Sequence, residues 1–378
     1  MDRAQQAHPG RLAVEAVRTL SPYVPGKPIS ELERELGIHD IVKLASNENP
    51  YGPSPRALSA MRAALEEVWL YPDGSCHELK QALSRHLQMP AQCLTVGNGS
   101  NELLMLLAES FLTPAANAVY SQYGFAIYPL VIGATGARAL AAPALAADSA
   151  MPFGHDLDAM QRAITEQTRL VFIANPNNPT GTWVEHAALA RFIDAAPPTT
   201  LVILDEAYLE YGREFGIGEG LKWLDAHPNL VLLRTLSKAY GLAGARVGYA
   251  VSHPEIAEVL NRLRPAFNVN SIAQAGAIAA LADQGHMQRS VAATLGERRR
   301  VAAALRERGI EYVPSAANFL LVRVGPAAAA IFTELLQAGL IVRPVGGYGL
   351  AEHLRISIGL PAQNDLLLSA LTRLTAAG

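Results

Sequence analysis

Short aliphatic runs recur through the middle of this chain: Leu94–Val96, Ala118–Tyr120, Leu170–Ala174, Leu201–Leu204, Leu230–Leu233 and Val247–Val251. Most are rich in Val, Ile and Leu without polar alternation, so they do not read as strands with one wet face. They read as strands of a parallel sheet covered on both sides. Helical patterns such as Glu102–Phe111 and Ala187–Ala195 lie between them. Strands alternating with helices imply an α/β domain with right-handed crossovers. In such a sheet, ligands bind beyond the carboxyl ends of the strands. The residues that follow each aliphatic run are therefore where function is to be sought.

After about Pro254 the texture changes. Helical stretches near Glu255–Arg264, Ala275–Leu281 and Ala292–Glu307 precede Phe319–Val324, Ile331–Ala338, Leu340–Pro344 and Leu354–Ser357. This mixture implies a second, smaller α+β domain, and 378 residues suffice for two. The first forty or so residues are weakly periodic and carry Pro22, Pro25 and Pro28, as an arm with one helix would. The expected division is residues 1–44 as arm and part of the small domain, 45–258 as the large domain and 259–378 as the C-terminal small domain. Ala139–Ala150 is rich in alanine but too short for a low-complexity tail.

Composition excludes several classes of partner. Lysine and arginine total 31 against 34 acidic residues, a net charge of −3, which favours neither nucleic acid nor an anionic membrane. Cys76 and Cys93 form no metal-ligand spacing, so no metal is expected, and a reducing cytoplasm fits them. Met1–Leu20 lacks the apolar core of a signal peptide, and no apolar run is long enough to span a membrane.

Each strand end carries polar residues. Leu230–Leu233 is followed by Thr235-Leu236-Ser237-Lys238-Ala239-Tyr240-Gly241. Lys238 there is either close to a ligand or an ordinary solvated lysine. Ser237 and Arg246 flank it with a hydroxyl and a forked cation suited to a phosphate. Leu201–Leu204 runs into Asp205-Glu206-Ala207-Tyr208. An aspartate at the end of a buried strand needs a cationic partner such as a pyridinium nitrogen, or else serves as a helix N-cap. Leu170–Ala174 leads into Asn175-Pro176-Asn177-Asn178-Pro179-Thr180-Gly181, a forced turn that offers the amide of Asn178.

Leu94–Val96 leads into Gly97-Asn98-Gly99-Ser100-Asn101-Glu102, where free backbone N–H groups at a helix start favour a phosphate. Glu102 stands where a dinucleotide loop would have its third glycine, which argues against NAD. After Ala118–Tyr120, Tyr123 is either a core aromatic or a surface on which a flat ring stacks. Jointly the strand ends supply phosphate donors, an aromatic, an amide, an acid and an amine, which meet every polar group of pyridoxal 5′-phosphate (PLP).

These motifs resemble the fold-type I, aspartate aminotransferase-like PLP family over nearly the whole chain. The resemblance implies an α/β large domain with a mostly parallel seven-stranded sheet between helices, plus the smaller α+β domain. It implies that Lys238 is the covalent anchor of the cofactor and the residue that moves the proton. Asp205 would pair with the pyridine nitrogen, and Tyr208 and Asn178 would hold the phenolic oxygen. Ser100, Asn101, Ser237 and Arg246 would hold the phosphate, Tyr123 would stack on the ring, and Tyr51 would reach the phosphate in a neighbouring subunit, making a homodimer.

Leu20-Ser21-Pro22-Tyr23, Leu44-Ala45-Ser46-Asn47-Glu48-Asn49-Pro50-Tyr51-Gly52 and the Lys238 segment look most like the branch of that family acting on histidinol phosphate. This likeness adds Tyr23, Asn47, Arg343 and Arg355 as substrate-binding residues. It implies a ping-pong exchange of the amino group between L-histidinol phosphate and 2-oxoglutarate, giving imidazole-acetol phosphate and glutamate, as in histidine biosynthesis. Transamination of aromatic amino acids and decarboxylation of a phosphorylated amino acid are the alternative reactions. A PLP-binding regulator is disfavoured, since no basic helix-turn-helix precedes the fold.

Overall fold

The computed structural model describes residues 9–218 and 220–376, so Met1–His8 of the expected arm and the last residues of the expected C-terminal domain lie outside the described residues. The chain begins with α1 (Glu15–Arg18), α2 (Ile29–Leu36), β1 (Val42–Lys43), α3 (Pro55–Ala64) and α4 (His77–Leu87). The alternating region follows: β2 (Leu94–Gly97), α5 (Ser100–Phe111), β3 (Asn117–Ser121), α6 (Ile127–Ala134), β4 (Arg138–Ala142), α7 (Leu157–Ala163), β5 (Thr168–Ala174), α8 (His186–Ala195), β6 (Leu201–Asp205), α9 (Leu209–Gly212), β7 (Leu230–Thr235) and β8 (Gly248–Ser252). It closes with α10 (Pro254–Leu263), α11 (Ser271–Ala282), α12 (Gln284–Glu307), β9 (Tyr312–Val313), β10 (Phe319–Arg323), α13 (Ala328–Gln337), β11 (Leu340–Ile341), β12 (Arg343–Pro344), β13 (His353–Ser357) and α14 (Pro361–Ala376).

The main sheet has seven strands in the order β2-β8-β7-β6-β5-β3-β4. Only β8 runs against its neighbours, β2 and β7; the other pairings are parallel. Its aliphatic runs serve two cores at once. Leu170, Phe172 and Ala174 face α5 and α6, whereas Val171 and Ile173 join the opposite core with Leu189 and Phe192 of α8. With both faces apolar, the strands show no polar alternation. The edge strand β4 falls in the alanine-rich segment and is partly exposed, which is why it carries no aliphatic run.

Two expectations change with the packing. Leu340–Pro344 is not one strand: β11 pairs in parallel with β1, while β12 pairs antiparallel with β13 in a four-stranded sheet. And although a boundary after residue 258 is expected, α11 packs on α3 and α4, and α10 packs on α5 and β2, so both cover the large sheet. The 24-residue α12 joins the two units. Met287, Val291 and Leu295 in its first half belong to the large core, and Val301 and Leu305 in its second half to the small one.

Candidate active site

The carboxyl ends of β5, β6 and β7 open into a cleft of about 270 Å³, closed on the other side by residues 45–48 and the small unit. Lys238, just beyond β7, is half-buried there, and its Nζ donates to the Ser46 carbonyl at 3.0 Å. The amine lies 5.9 Å from the centre of the Tyr208 ring. Burial, helped by the Arg355 guanidinium, lowers its pKa to about 8, because both penalise a second positive charge.

Asp205 closes β6. Its Oδ2 accepts from the Tyr128 hydroxyl at 2.9 Å and its Oδ1 from the Ala207 N–H at 3.2 Å. Burial pushes this carboxyl up to about 6, since no cation is bonded to it. It is no helix cap: Tyr208 precedes α9 and makes no side-chain capping bond. A buried carboxylate facing a cleft and lacking a cation is the acceptor that suits a pyridinium N–H.

The Tyr208 hydroxyl accepts from Asn47 Nδ2 at 2.9 Å, and burial lifts its pKa to about 12, so it keeps its proton. Asn47 sits at φ +57°. Its Oδ1 accepts from Ser357 Oγ at 3.0 Å, and its carbonyl accepts from Asn318 Nδ2 at 3.1 Å, which tie this segment to the small unit. Asn178 accepts at Oδ1 from Arg355 Nη1 at 2.5 Å, which leaves its amide N–H groups for the cleft.

The opposite end is a cradle. Ser100 and Asn101 begin the twelve-residue α5 with no side-chain cap ahead of them, so the first N–H groups are open to an anion. Gly99 has φ +78°, and a Cβ there would overlap the Arg246 guanidinium; a Cβ on Gly248 would come 2.7 Å from the Ser100 nitrogen. Arg246 Nη1 donates to the Ala243 carbonyl at 2.9 Å and lies 3.4 Å from Ser237 Oγ. Glu102 accepts from the Asn98 N–H at 2.7 Å and so fastens the turn that a third glycine would otherwise shape. Backbone N–H groups, a hydroxyl and a guanidinium around a space kept free of side chains fit a phosphate.

At the small-unit side, Arg355 is buried; its Nη2 donates to the Ala45 carbonyl at 2.5 Å, and its Nε has no partner. Arg343 donates to the Val24 carbonyl at 2.6 Å and stands over the Tyr23 ring at 5.4 Å. An unpartnered buried guanidinium N–H points to an anionic ligand.

The structure thus brings Lys238, Asp205, Tyr208, Asn178, Ser100, Asn101, Ser237, Arg246, Asn47, Tyr23, Arg343 and Arg355 into one cleft. Two expected residues stand apart. Tyr123, half-buried, packs edge-on against Phe153 at 5.4 Å beside Leu321 and Val345, whereas Phe125, two positions on, lines the cleft. Tyr51 is half-buried outside the cleft. Sequence reasoning passed over Tyr128 and the Ser46 carbonyl. Tyr128 sits at the start of α6 rather than at a strand end, and a backbone acceptor leaves no residue-type signal.

A family model described as aminotransferase class I and II matches residues 39–371. The chain is 50% identical over 369 residues to histidinol-phosphate aminotransferase 2 of Pseudomonas fluorescens (strain Pf0-1), covering 97% of this chain and 98% of that one. It is 49% identical to histidinol-phosphate aminotransferase 1 of Nitrosococcus oceani, covering 96% of each. Among solved structures, histidinol-phosphate aminotransferase from Sinorhizobium meliloti in complex with pyridoxal-5′-phosphate superposes with a TM-score of 0.88 at 33% identity, over 97% of this chain and 98% of that one.

Proposed function

The chain belongs to the class I and II aminotransferase family, and from that premise we propose that it transfers the amino group of L-glutamate to imidazole-acetol phosphate and back, a PLP-dependent transamination of L-histidinol phosphate with 2-oxoglutarate. This is a step of histidine biosynthesis. The observation that carries the reading is one cleft holding a lysine with its pKa lowered to about 8, a buried aspartate without a cation, and a buried Arg355 with an unpartnered N–H.

PLP supplies an aldehyde that takes up the amine and a ring that accepts electrons once it is protonated. The residues present fit it. Lys238 would anchor the cofactor, and its amine would act as general base toward the proton on the substrate α-carbon; a low pKa keeps a useful share of it unprotonated near neutrality. Asp205 holds the ring nitrogen protonated. Tyr208 and Asn178 donate to the phenolic oxygen. Ser100, Asn101, Ser237 and Arg246 would hold the phosphate, and an aromatic of the turn after β3, Phe125 at the cleft or Tyr123 beside it, would stack on the ring. Arg355, with Arg343, takes the carboxylate of glutamate in one half-reaction and the substrate phosphate in the other, since a planar fork suits both anions. Tyr23 and Asn47 line the substrate side.

The active unit we propose is a homodimer in the cytoplasm. Tyr51 would serve the second copy's cofactor phosphate, in keeping with its position outside its own cleft. Among the described residues no helix is long and apolar enough to cross a membrane. The test is a substrate panel with purified enzyme: kcat/KM for histidinol phosphate should exceed that for phenylalanine and tyrosine, with keto-product formed and no carbon dioxide released. A preference for the aromatic amino acids would overturn the substrate, and carbon dioxide release would overturn the reaction.

A further inference from the structure

Asp205 receives two hydrogen bonds, from the Ala207 backbone and the Tyr128 hydroxyl, so among the described residues Tyr128 is the one side chain bonded to it. Tyr128 is fully buried in the first turn of α6. Its ring stacks on Phe172 of β5 at 4.9 Å and 14°, and Phe125 meets it edge-on at 5.8 Å. The phenol cannot swing away without emptying a packed site, so its hydroxyl is fixed on Oδ2.

We propose that Tyr128 is a positioning residue of this site: its hydroxyl holds the Asp205 carboxylate ionised and in one orientation, ready for the cationic ring nitrogen of the cofactor. The proposal rests on the reading that Asp205 pairs with that nitrogen. A carboxylate taken out of water loses its charge unless donors replace the water. The Ala207 N–H alone holds Oδ1; Tyr128 holds Oδ2 and leaves the remaining lone pairs to the cleft. Burial and the nearby Asp205 charge raise the phenol well above its ordinary range, so across the working pH it only donates. The other groups facing Asp205 are Glu206, which is itself paired with Arg234, and Lys238, with the neutral phenols of Tyr208 and Tyr348 close to Tyr128. Lys238 donates to the Ser46 carbonyl and not to Asp205, so among the described residues Tyr128 is the one side-chain donor that the carboxylate has.

The test is the pH dependence of PLP binding to the cofactor-free protein, read by absorbance titration. Tyr128→Phe keeps the ring, its stacking and its volume and removes only the hydroxyl. Losing one donor to a buried charge raises Asp205 by about one pH unit. The acid limb of binding should therefore move up by about that much, with PLP bound about tenfold more weakly on its acid side. The cofactor's own titrations are common to both proteins, so the difference reports position 128. A fluorinated tyrosine at 128, a stronger donor of nearly the same shape, should move the limb down, and it supplies the answer even if Tyr128→Phe fails to fold. Ile203→Val, in the same strand, should lower stability and leave the limb in place. An unmoved limb in the Phe and fluorotyrosine proteins overturns the proposal. If Asp205→Asn also binds PLP like the parent at every pH, it is the pairing of Asp205 with the ring that fails.

Discussion

At the residue scale, Asp205 and Lys238 each carry near neutral pH a charge that burial disfavours, and both make the empty site costly. The Asp205 carboxyl lies at about 6 in the fold against 3.8 ordinarily. A raised carboxyl pKa means the folded state holds its proton more tightly than the unfolded one. Stability of the cofactor-free protein is therefore full below pH 4 and falls as pH rises to 6, by up to about 3 kcal/mol. Asp205→Asn should raise the melting temperature of the cofactor-free protein at pH 7.5 while weakening PLP binding, and calorimetry with and without PLP separates the two effects. Lys238 carries the mirror-image cost, and its reactivity shows it: the rate at which cofactor-free protein captures PLP covalently should rise with pH around a midpoint near 8, where an ordinary lysine would respond near 10.5. Lys238→Ala should abolish transamination; retained full activity would refute the anchoring role. These two residues were legible because each follows a strand whose aliphatic run marks it as buried. Tyr123 and Phe125 were not separable by that logic, since both follow the same strand and only the turn between them decides which ring faces the cleft.

At the element scale, the site depends on β6 and β7 ending in register, and a buried ion pair fastens them behind the cleft. Arg234 of β7 meets Glu206, next to Asp205, at 2.8 Å, and Glu206 also accepts from the Gly220 N–H at 2.9 Å. Both side chains are sealed from solvent, and burial makes a lone charge there expensive. Arg234→Met should destabilise the protein by about 3–5 kcal/mol by leaving the Glu206 carboxylate unpaired. Adding Glu206→Gln should restore part of that loss, as urea unfolding of the single and double variants would reveal; an additive double variant would show that the pair does not interact. The sheet itself was readable from the sequence because two-sided burial writes unbroken aliphatic runs. β4 was not, because an edge strand needs no such run, and the split of Leu340–Pro344 was not, because nothing in the composition marks where a chain leaves one sheet for another.

At the scale of the whole molecule, the proposed homodimer needs a surface on which a second copy can seat. Trp69 is 79% and Tyr71 is 83% exposed, and Val68, Leu70, Leu65 and Phe267 are exposed with them. Tyr71 stacks on Phe267 at 4.8 Å, so part of this set is a built surface rather than scattered side chains. Exposed aromatic and aliphatic surface of this kind is the chemistry a protein interface uses. Along the chain it is joined through α3 to the segment that carries Asn47 and Tyr51. Trp69→Glu places a charge in that surface without touching any group assigned to the cofactor or substrate. The variant should elute as a monomer where the parent elutes as a dimer, and its PLP affinity should fall together with its activity, because the contribution assigned to Tyr51 comes from the other copy. A parent protein that is monomeric and fully active, or a monomeric Trp69→Glu that binds PLP as the parent does, would leave each cleft complete within its own chain.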